Sequence, residues 1–388
     1  MLTTALLAYG TTAWSADLPT LRDAFKDHFL VGTAINRAVT TGRGFRRSSE
    51  QVNTDIALVK AQFNQVVAEN EMKWDSLHPR PGADGYDFRA ADAFVSFGLN
   101  NNMYLVGHTL VWHSQTPHWV FAGTNPPPNT ASAAPGTNRF GRYNGPRASR
   151  EELLQRMRDH IHTVVGRYKG KIKVWDVVNE ALSDGGTNTL RTSLWTEIIG
   201  PDFIAKAFQY AHEADPDAIL RYNDYGLESS AKRRKLIALI QSLQAQKVPV
   251  HAIGSQTHVS VAWPSFAEMD RALTEMATLG LPIHITELDV NSAEGGQRSF
   301  GADIANNAAT TQGGLVSDAD RKLAEAYAGL FRAFLKHDPQ VKMVTFWGPN
   351  DANSWRANGK PLLFDGNSQP KPAFHAVLAE AKRAAAAK

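Results

Sequence analysis

The chain has 388 residues, 43% of them hydrophobic, which is enough to bury a large core, and its 41 basic and 38 acidic side chains leave a net charge of only +3. So small a charge, with no clustered basic stripe, argues against nucleic acid or a polyanion as partner. The absence of cysteine removes disulfides, thiolate metal sites and cysteine nucleophiles together, and no apolar run is long enough to span a bilayer.

Residues 1–16 are compatible with a worn secretory signal or a frayed N-terminus. Leu2 to Ala8 is mildly apolar and Ala13-Trp14-Ser15 could precede a cleavage point, yet the first arginine is Arg22, where a signal would carry a basic residue earlier. Residues 17–388 are expected to form one domain. Eight short β-type runs follow, near 30–35, 65–69, 103–110, 172–179, 219–223, 252–258, 283–287 and 343–347. Most are continuously apolar, the pattern of parallel strands covered on both faces. Helix-type stretches separate most of them. Ser149 to Glu152 is a capping-box pattern, Leu153, Leu154, Met157, Ile161, Val164 and Val165 follow at helical spacing, and Gly170 closes that region. The run Lys232-Arg233-Arg234-Lys235 is expected on a solvated helix face. Leu323, Tyr327, Leu330, Phe331 and Phe334 form a second apolar stripe. Repeated strand–helix units predict an α/β fold, a single-domain (β/α)8 TIM barrel. The missing Gly-x-Gly-x-x-Gly turn weakens a dinucleotide-binding sheet. Two polar loops, 124–146 and 292–317, are long enough to be functional rims, and the second should sit on the face that carries the chemistry.

In such a barrel the chemistry sits at the C-terminal ends of the strands. The fourth run ends in Asn179-Glu180 and the seventh in Glu287-Leu288-Asp289. Strands four and seven lie three apart around an eight-stranded ring, so their ends can face each other across its mouth. Two glutamates there suit acid/base hydrolysis of a glycosidic bond, one protonating the leaving oxygen and the other, ionised, attacking the anomeric carbon. The plainer alternative is a structural ion pair for each glutamate at the barrel rim. His108, Trp112, His113 and Gln115 close the third run, Gln256 and His258 the sixth, and Trp347 the eighth, with Trp355 in the next loop. Indole faces stack on sugar rings while amides and imidazoles bond hydroxyls. No metal and no cofactor is expected. His108 and His113 are five apart on a strand, hence on opposite sides, and no His-Glu-x-x-His helix exists.

The segments Ala68-Glu69-Asn70-Glu71-Met72-Lys73-Trp74, Gly107 to Gln115, Trp175 to Glu180, Tyr222-Asn223-Asp224-Tyr225, Ser255-Gln256-Thr257-His258, Ile285 to Asp289 and Phe346-Trp347-Gly348 stand in order. With them the chain resembles the family-10 glycoside hydrolases, the barrel xylanases, from about Phe25 to Leu378. The resemblance implies endo-acting hydrolysis of β-1,4-xylosidic bonds with retention of configuration, Glu180 as acid/base and Glu287 as nucleophile. It implies that Asn179 holds the 2-hydroxyl of the reacting sugar, and that His258 and Asp289 form a hydrogen-bonded pair that orients Glu287. Glu69, Asn70, Lys73, His108, Trp112, Gln115, Gln256, Trp347 and Trp355 look like the glycone side, and Tyr225 like the leaving-group side. Pro349-Asn350-Asp351 departs from the Thr-Asp pair that the family often carries after Trp347-Gly348. The implied partner is xylan or xylo-oligosaccharides, met by a monomer that is secreted or periplasmic, with an intracellular enzyme acting on imported oligosaccharides as the alternative. The rival functions are a β-1,4-glucanase or mannanase on a related barrel and an inert carbohydrate-binding protein.

Overall fold

The computed structural model describes residues 19–44, 47–123, 143, 145–292 and 317–387. The segment 1–16 and most of the long loops 124–146 and 292–317 lie outside the described residues. Among the described residues eight parallel strands close into a barrel: β1 (Leu30–Ile35), β2 (Gln65–Ala68), β3 (Tyr104–Trp112), β4 (Val174–Asn179), β5 (Ile219–Asp224), β6 (Ala252–Ser255), β7 (Ile283–Asn291) and β8 (Val341–Phe346). Each pairs with the next, and β8 pairs with β1. Outer helices alternate with them: α1 (Ser49–Gln62), α2 (Arg89–Asn100), α3 (Arg150–Arg167), α4 (Phe203–Ala214), α5 (Ser230–Ala245), α6 (Phe266–Ala277), α7 (Asp318–Lys336) and α8 (Pro372–Ala386). This is the single-domain (β/α)8 barrel that the sequence predicts.

The local signals act as expected on α3 and α7. Ser149 and Glu152 form the capping box, and the α3 stripe is buried except for half-buried Leu154. The α7 stripe is buried throughout. The basic run is a correction. Lys232 and Arg233 of α5 are buried, not solvated. Lys232 Nζ pairs with Asp184 at 2.8 Å and Asp224 at 2.9 Å, and Arg233 Nε pairs with Glu275 at 2.7 Å. Buried cations need such partners, and these lie in other elements.

The strands differ from expectation at the mouth. The sixth run breaks: β6 stops at Ser255, Thr257 takes φ +56°, and the chain re-enters as a short strand, His258–Ser260, along the end of β7. A β-branched residue rarely takes that backbone, so an apolar pattern carries no sign of it. Register shifts fall between His108 and Val111, between Asp176 and Val178, and between Ile285 and Leu288. An inserted residue bends a strand and re-aims its side chains. These three shifts sit beside residues of the mouth, and a fourth, between Ile283 and His284, lies at the start of β7.

The barrel interior changes character along its axis. Ala34, Val67, Val106, Val174 and Met343 pack together inside it. Ile219 packs against them, and two residues beyond Val106, Val174 and Ile219 on the same faces come His108, Asp176 and Arg221, since i and i+2 share a face. Arg221 clasps Asp176 through Nε at 2.7 Å and Nη2 at 3.0 Å, and His108 Nδ1 meets the same carboxylate at 3.0 Å. Burial works against ionising Asp176, but Arg221 and His108 prevail and lower its pKa to about 2. His284 Nδ1 accepts from Arg221 at 3.1 Å, and burial together with Arg221 lowers its pKa to about 3, which keeps it neutral. This polar layer is the floor of the mouth.

Candidate active site

Asn179 ends β4 and Glu180 follows it at φ +57°. Successive strand residues point to opposite faces. The left-handed backbone at Glu180 breaks that alternation, so both side chains reach the same place. Gln256 Nε2 donates to Asn179 Oδ1 at 3.2 Å and to Glu180 Oε1 at 3.0 Å. Backbone of this kind costs roughly 1–3 kcal/mol in a residue with a side chain and clusters at functional sites. The other oxygen, Glu180 Oε2, accepts from Trp112 Nε1 at 2.8 Å. Both donors to Glu180 are neutral.

Glu287 lies buried on β7 in a charged setting. Its Oε1 accepts from Asn223 Nδ2 at 2.8 Å and its Oε2 meets His258 Nε2 at 3.1 Å. His258 Nδ1 meets Asp289 Oδ2 at 2.9 Å. Asp289 also accepts from Trp355 Nε1 at 2.8 Å and from Arg356 Nη1 at 2.7 Å. Burial opposes charge on His258, but Asp289 and Glu287 outweigh it and raise its pKa to about 9. Burial likewise opposes ionisation of Asp289, yet Arg356 and His258 hold its pKa below the ordinary carboxylate value. At neutral pH the imidazolium therefore donates from both nitrogens, one to each carboxylate.

An amide chain joins the two glutamates. Asn223 Nδ2 donates to Asn179 Oδ1 at 2.9 Å as well as to Glu287. Glu180, Gln256, Asn179, Asn223 and Glu287 thus follow one another by hydrogen bonds. Thr286 Oγ1 donates to Asn223 Oδ1 at 2.7 Å and so fixes which end of that amide faces the carboxylate. A Cβ at Gly254 would lie 2.4 Å from Asn223 Oδ1, so β6 needs glycine there. Asn223 stands in one of the family-like segments but carries no role from the sequence alone, and Arg356 is not singled out there at all. Asn223 ends its apolar run at the mouth, as Asn179 does, and that position was the available signal. Arg356 gave none, because its partner is 67 residues away.

The remaining candidates gather around the same mouth. Lys73 Nζ donates to Asn70 Oδ1 at 3.0 Å and Gln115 Oε1 at 2.9 Å, and lies 5.1 Å from the centre of the Trp112 ring. Burial lowers the Lys73 pKa, while Glu69, Glu287, Asp75 and Glu180 pull it back, so Lys73 feels both glutamates. Trp347 stands edge-on to His108 at 5.3 Å, and Trp355 edge-on to His258 at 5.1 Å. His113 is exposed whereas His108 is buried, so the pair weighed as metal ligands sits in two environments. Tyr225, expected on the leaving-group side, follows β5, but its hydroxyl donates to Asp184 and accepts from Arg191 Nη2, both at 2.6 Å. The Asn350-Asp351 departure is anchored: Asn350 Nδ2 donates to Asp55 at 2.6 Å and Lys371 Nζ pairs with Asp351 at 2.9 Å.

Comparison with known proteins agrees with this geometry. The model of glycosyl hydrolase family 10 matches residues 20–380. A β-1,4-xylanase of Dictyoglomus thermophilum is 37% identical over 369 residues, which cover 93% of this chain and 91% of that protein. Endo-1,4-β-xylanase A of Caldicellulosiruptor sp. is 39% identical over 364 residues, covering 93% of this chain but 48% of that longer protein. The solved structure of an endoxylanase of the same family, retrieved from a sugarcane soil metagenome, superimposes with a TM-score of 0.78 at 38% identity, over 93% of this chain and 99% of that one. The match runs through every strand and both glutamate-bearing ends, and the chain belongs to glycosyl hydrolase family 10.

Proposed function

We propose that this protein is an endo-β-1,4-xylanase that works by double displacement with retention. The observation that carries the reading is the pairing of two glutamates in one amide chain but in unlike electrical surroundings. Glu287, beside the His258 cation, suits the ionised nucleophile. Glu180, held by a neutral indole and a neutral amide, suits the group that gives and takes a proton.

In the first step Glu287 attacks the anomeric carbon as the glycosidic bond breaks, and Glu180 gives its proton to the departing oxygen. A covalent xylosyl-enzyme results. Glu180, now ionised, takes a proton from water as that water attacks the same carbon and releases Glu287. Two inversions restore the original configuration. Asn179 spends its carbonyl on Gln256 and Asn223. Its amide N–H groups are then suited to the 2-hydroxyl, a contact that strengthens at the transition state. Xylose lacks the hydroxymethyl group of glucose, and Trp347 and Trp355 are the bulk against which glucose would clash.

The substrate is met outside the cell or in a periplasm, because polymeric xylan does not enter cells, and the enzyme acts as a monomer. The test is reducing-sugar release from xylan and from soluble cellulose by the parent and by Glu287→Gln. The proposal expects strong release from xylan that the substitution abolishes. Clear action on cellulose with little on xylan would move the specificity to a glucanase, and undiminished release by the variant would remove Glu287 as nucleophile.

A further inference from the structure

The proton donor is held by its side chain, and also by its backbone. Glu180 N–H donates to Asn223 O at 2.8 Å. The next two N–H groups are also caught by β5: Ala181 N donates to the Tyr222 hydroxyl at 3.0 Å, and Leu182 N to Asp224 Oδ2 at 3.2 Å. The Glu180 carbonyl cannot use the strand ladder, because the left-handed turn takes it out of the sheet. It is bonded instead by a side chain eleven residues on, where Arg191 Nε donates to Glu180 O at 3.1 Å.

Arg191 is itself well anchored. Its backbone N–H donates to Ala181 O at 2.8 Å and Leu182 bridges to Leu190, so residues 181–191 fold back as a small hairpin. Its Nη2 bonds Asp184 Oδ2 at 2.9 Å and the Tyr225 hydroxyl at 2.6 Å. Lys232 Nζ holds Asp184 from below at 2.8 Å and lies 3.3 Å from the centre of the Tyr225 ring. A planar guanidinium meets these partners along the fixed directions of one fork, whereas an ammonium is a compact charge with rotatable donors on a flexible stem. Arg191 and Glu180 also line one small cavity together.

We infer that Arg191 is a positioning residue for the proton donor: its guanidinium locks the left-handed backbone of Glu180 and so aims that carboxyl at the departing oxygen. Nothing in its contacts reaches Glu287. The inference rests on Glu180 being the acid/base. Its consequence is selective. A misaimed proton donor slows only bonds whose leaving group needs a proton. An aryl xylobioside with a dinitrophenolate leaving group needs none, whereas an unactivated aryl xylobioside does.

The experiment measures kcat/KM, which reports the first step, on both aryl xylobiosides for the parent, Arg191→Lys, Tyr225→Phe and, as reference, Glu180→Ala. For Arg191→Lys the expected result is a loss of about tenfold to a hundredfold on the unactivated substrate, the usual range for a misplaced catalytic group, against less than about threefold on the dinitrophenyl substrate. Tyr225→Phe removes one anchor of Arg191 and leaves its Nε free to bond Glu180, so it should show the same selectivity with a smaller loss. It keeps the test open should Arg191→Lys fold poorly. Equal losses on both substrates in both variants, or no loss in either, would overturn the inference. Should Glu180→Ala itself lose both substrates equally, the acid/base assignment fails, and the inference fails with it for a separately visible reason.

Discussion

Glu180 and Glu287 are joined by four hydrogen bonds, yet their surroundings differ in kind. At the β4 end the donors are an indole and an amide, and the backbone is strained. At the β7 end an imidazolium stands between two carboxylates, and Arg356 closes the row. The comparison teaches that one pair of identical side chains can be assigned unlike roles by their neighbours' charge. The amide chain orients both and Lys73 feels both, whereas the His258–Asp289–Arg356 row stands beside Glu287 alone.

The largest expected effect separates the two ends. Glu287→Gln should lower kcat on xylan by about 10^4-fold or more, the order seen when a nucleophile is removed. Glu180→Ala should do nearly as much on xylan but retain most of its kcat/KM on a dinitrophenyl xylobioside. Steady-state kinetics on the two substrates reads this. Equal profiles for the two variants would erase the distinction.

Beneath both glutamates the same substitution logic should strike stability. Arg221→Met leaves Asp176 buried without its cation, and breaking a buried pair in this way costs about 3–5 kcal/mol. Urea unfolding at neutral pH measures it. A loss under about 1 kcal/mol would mean that Asp176 is satisfied otherwise.

Trp112→Phe removes one neutral donor to Glu180 and nothing at Glu287. A hydrogen bond to a charged group is worth about 1.5–3 kcal/mol, so kcat/KM on xylan should fall about tenfold to a hundredfold.

The smallest effect is a shift in pH dependence at the other end. The folded-state pKa of His258 is raised to about 9 from 6.5. A group raised in this way contributes stability that is fully present below pH 6.5 and is lost as pH rises through 9. Activity that depends on the imidazolium should fall across the same upper range. Asp289→Asn removes the carboxylate that raises it most, so the alkaline limb should move down towards 6.5. A pH profile of kcat/KM for parent and variant tests the sign, and an upward movement would contradict it.

Much of this was legible in the sequence because it is local or periodic. Strands buried on both faces leave continuous apolar runs, and those runs found all eight strands within two residues at most ends. Polar residues that close such runs, Asn179-Glu180 and Glu287-Leu288-Asp289, marked the mouth. What was not legible depends on backbone signs and on distant partners. Thr257 and Glu180 sit at positive φ with no glycine or asparagine to announce it. Asn223 reaches Glu287 across 64 residues. Lys232 and Arg233 look like a solvated charge run until Asp224 and Glu275 are brought beside them by the fold.

The central claim, that Glu287 carries the sugar while Glu180 handles the proton, has one direct test. A xylobioside with fluorine at C2 and a dinitrophenolate leaving group slows both steps but speeds entry to the first, so the covalent intermediate accumulates. Intact mass and peptide mapping after incubation should show one fluoroxylobiosyl group on the peptide containing Glu287, and none on the Glu287→Gln variant. A label on another residue, or turnover without any covalent adduct, would contradict the account.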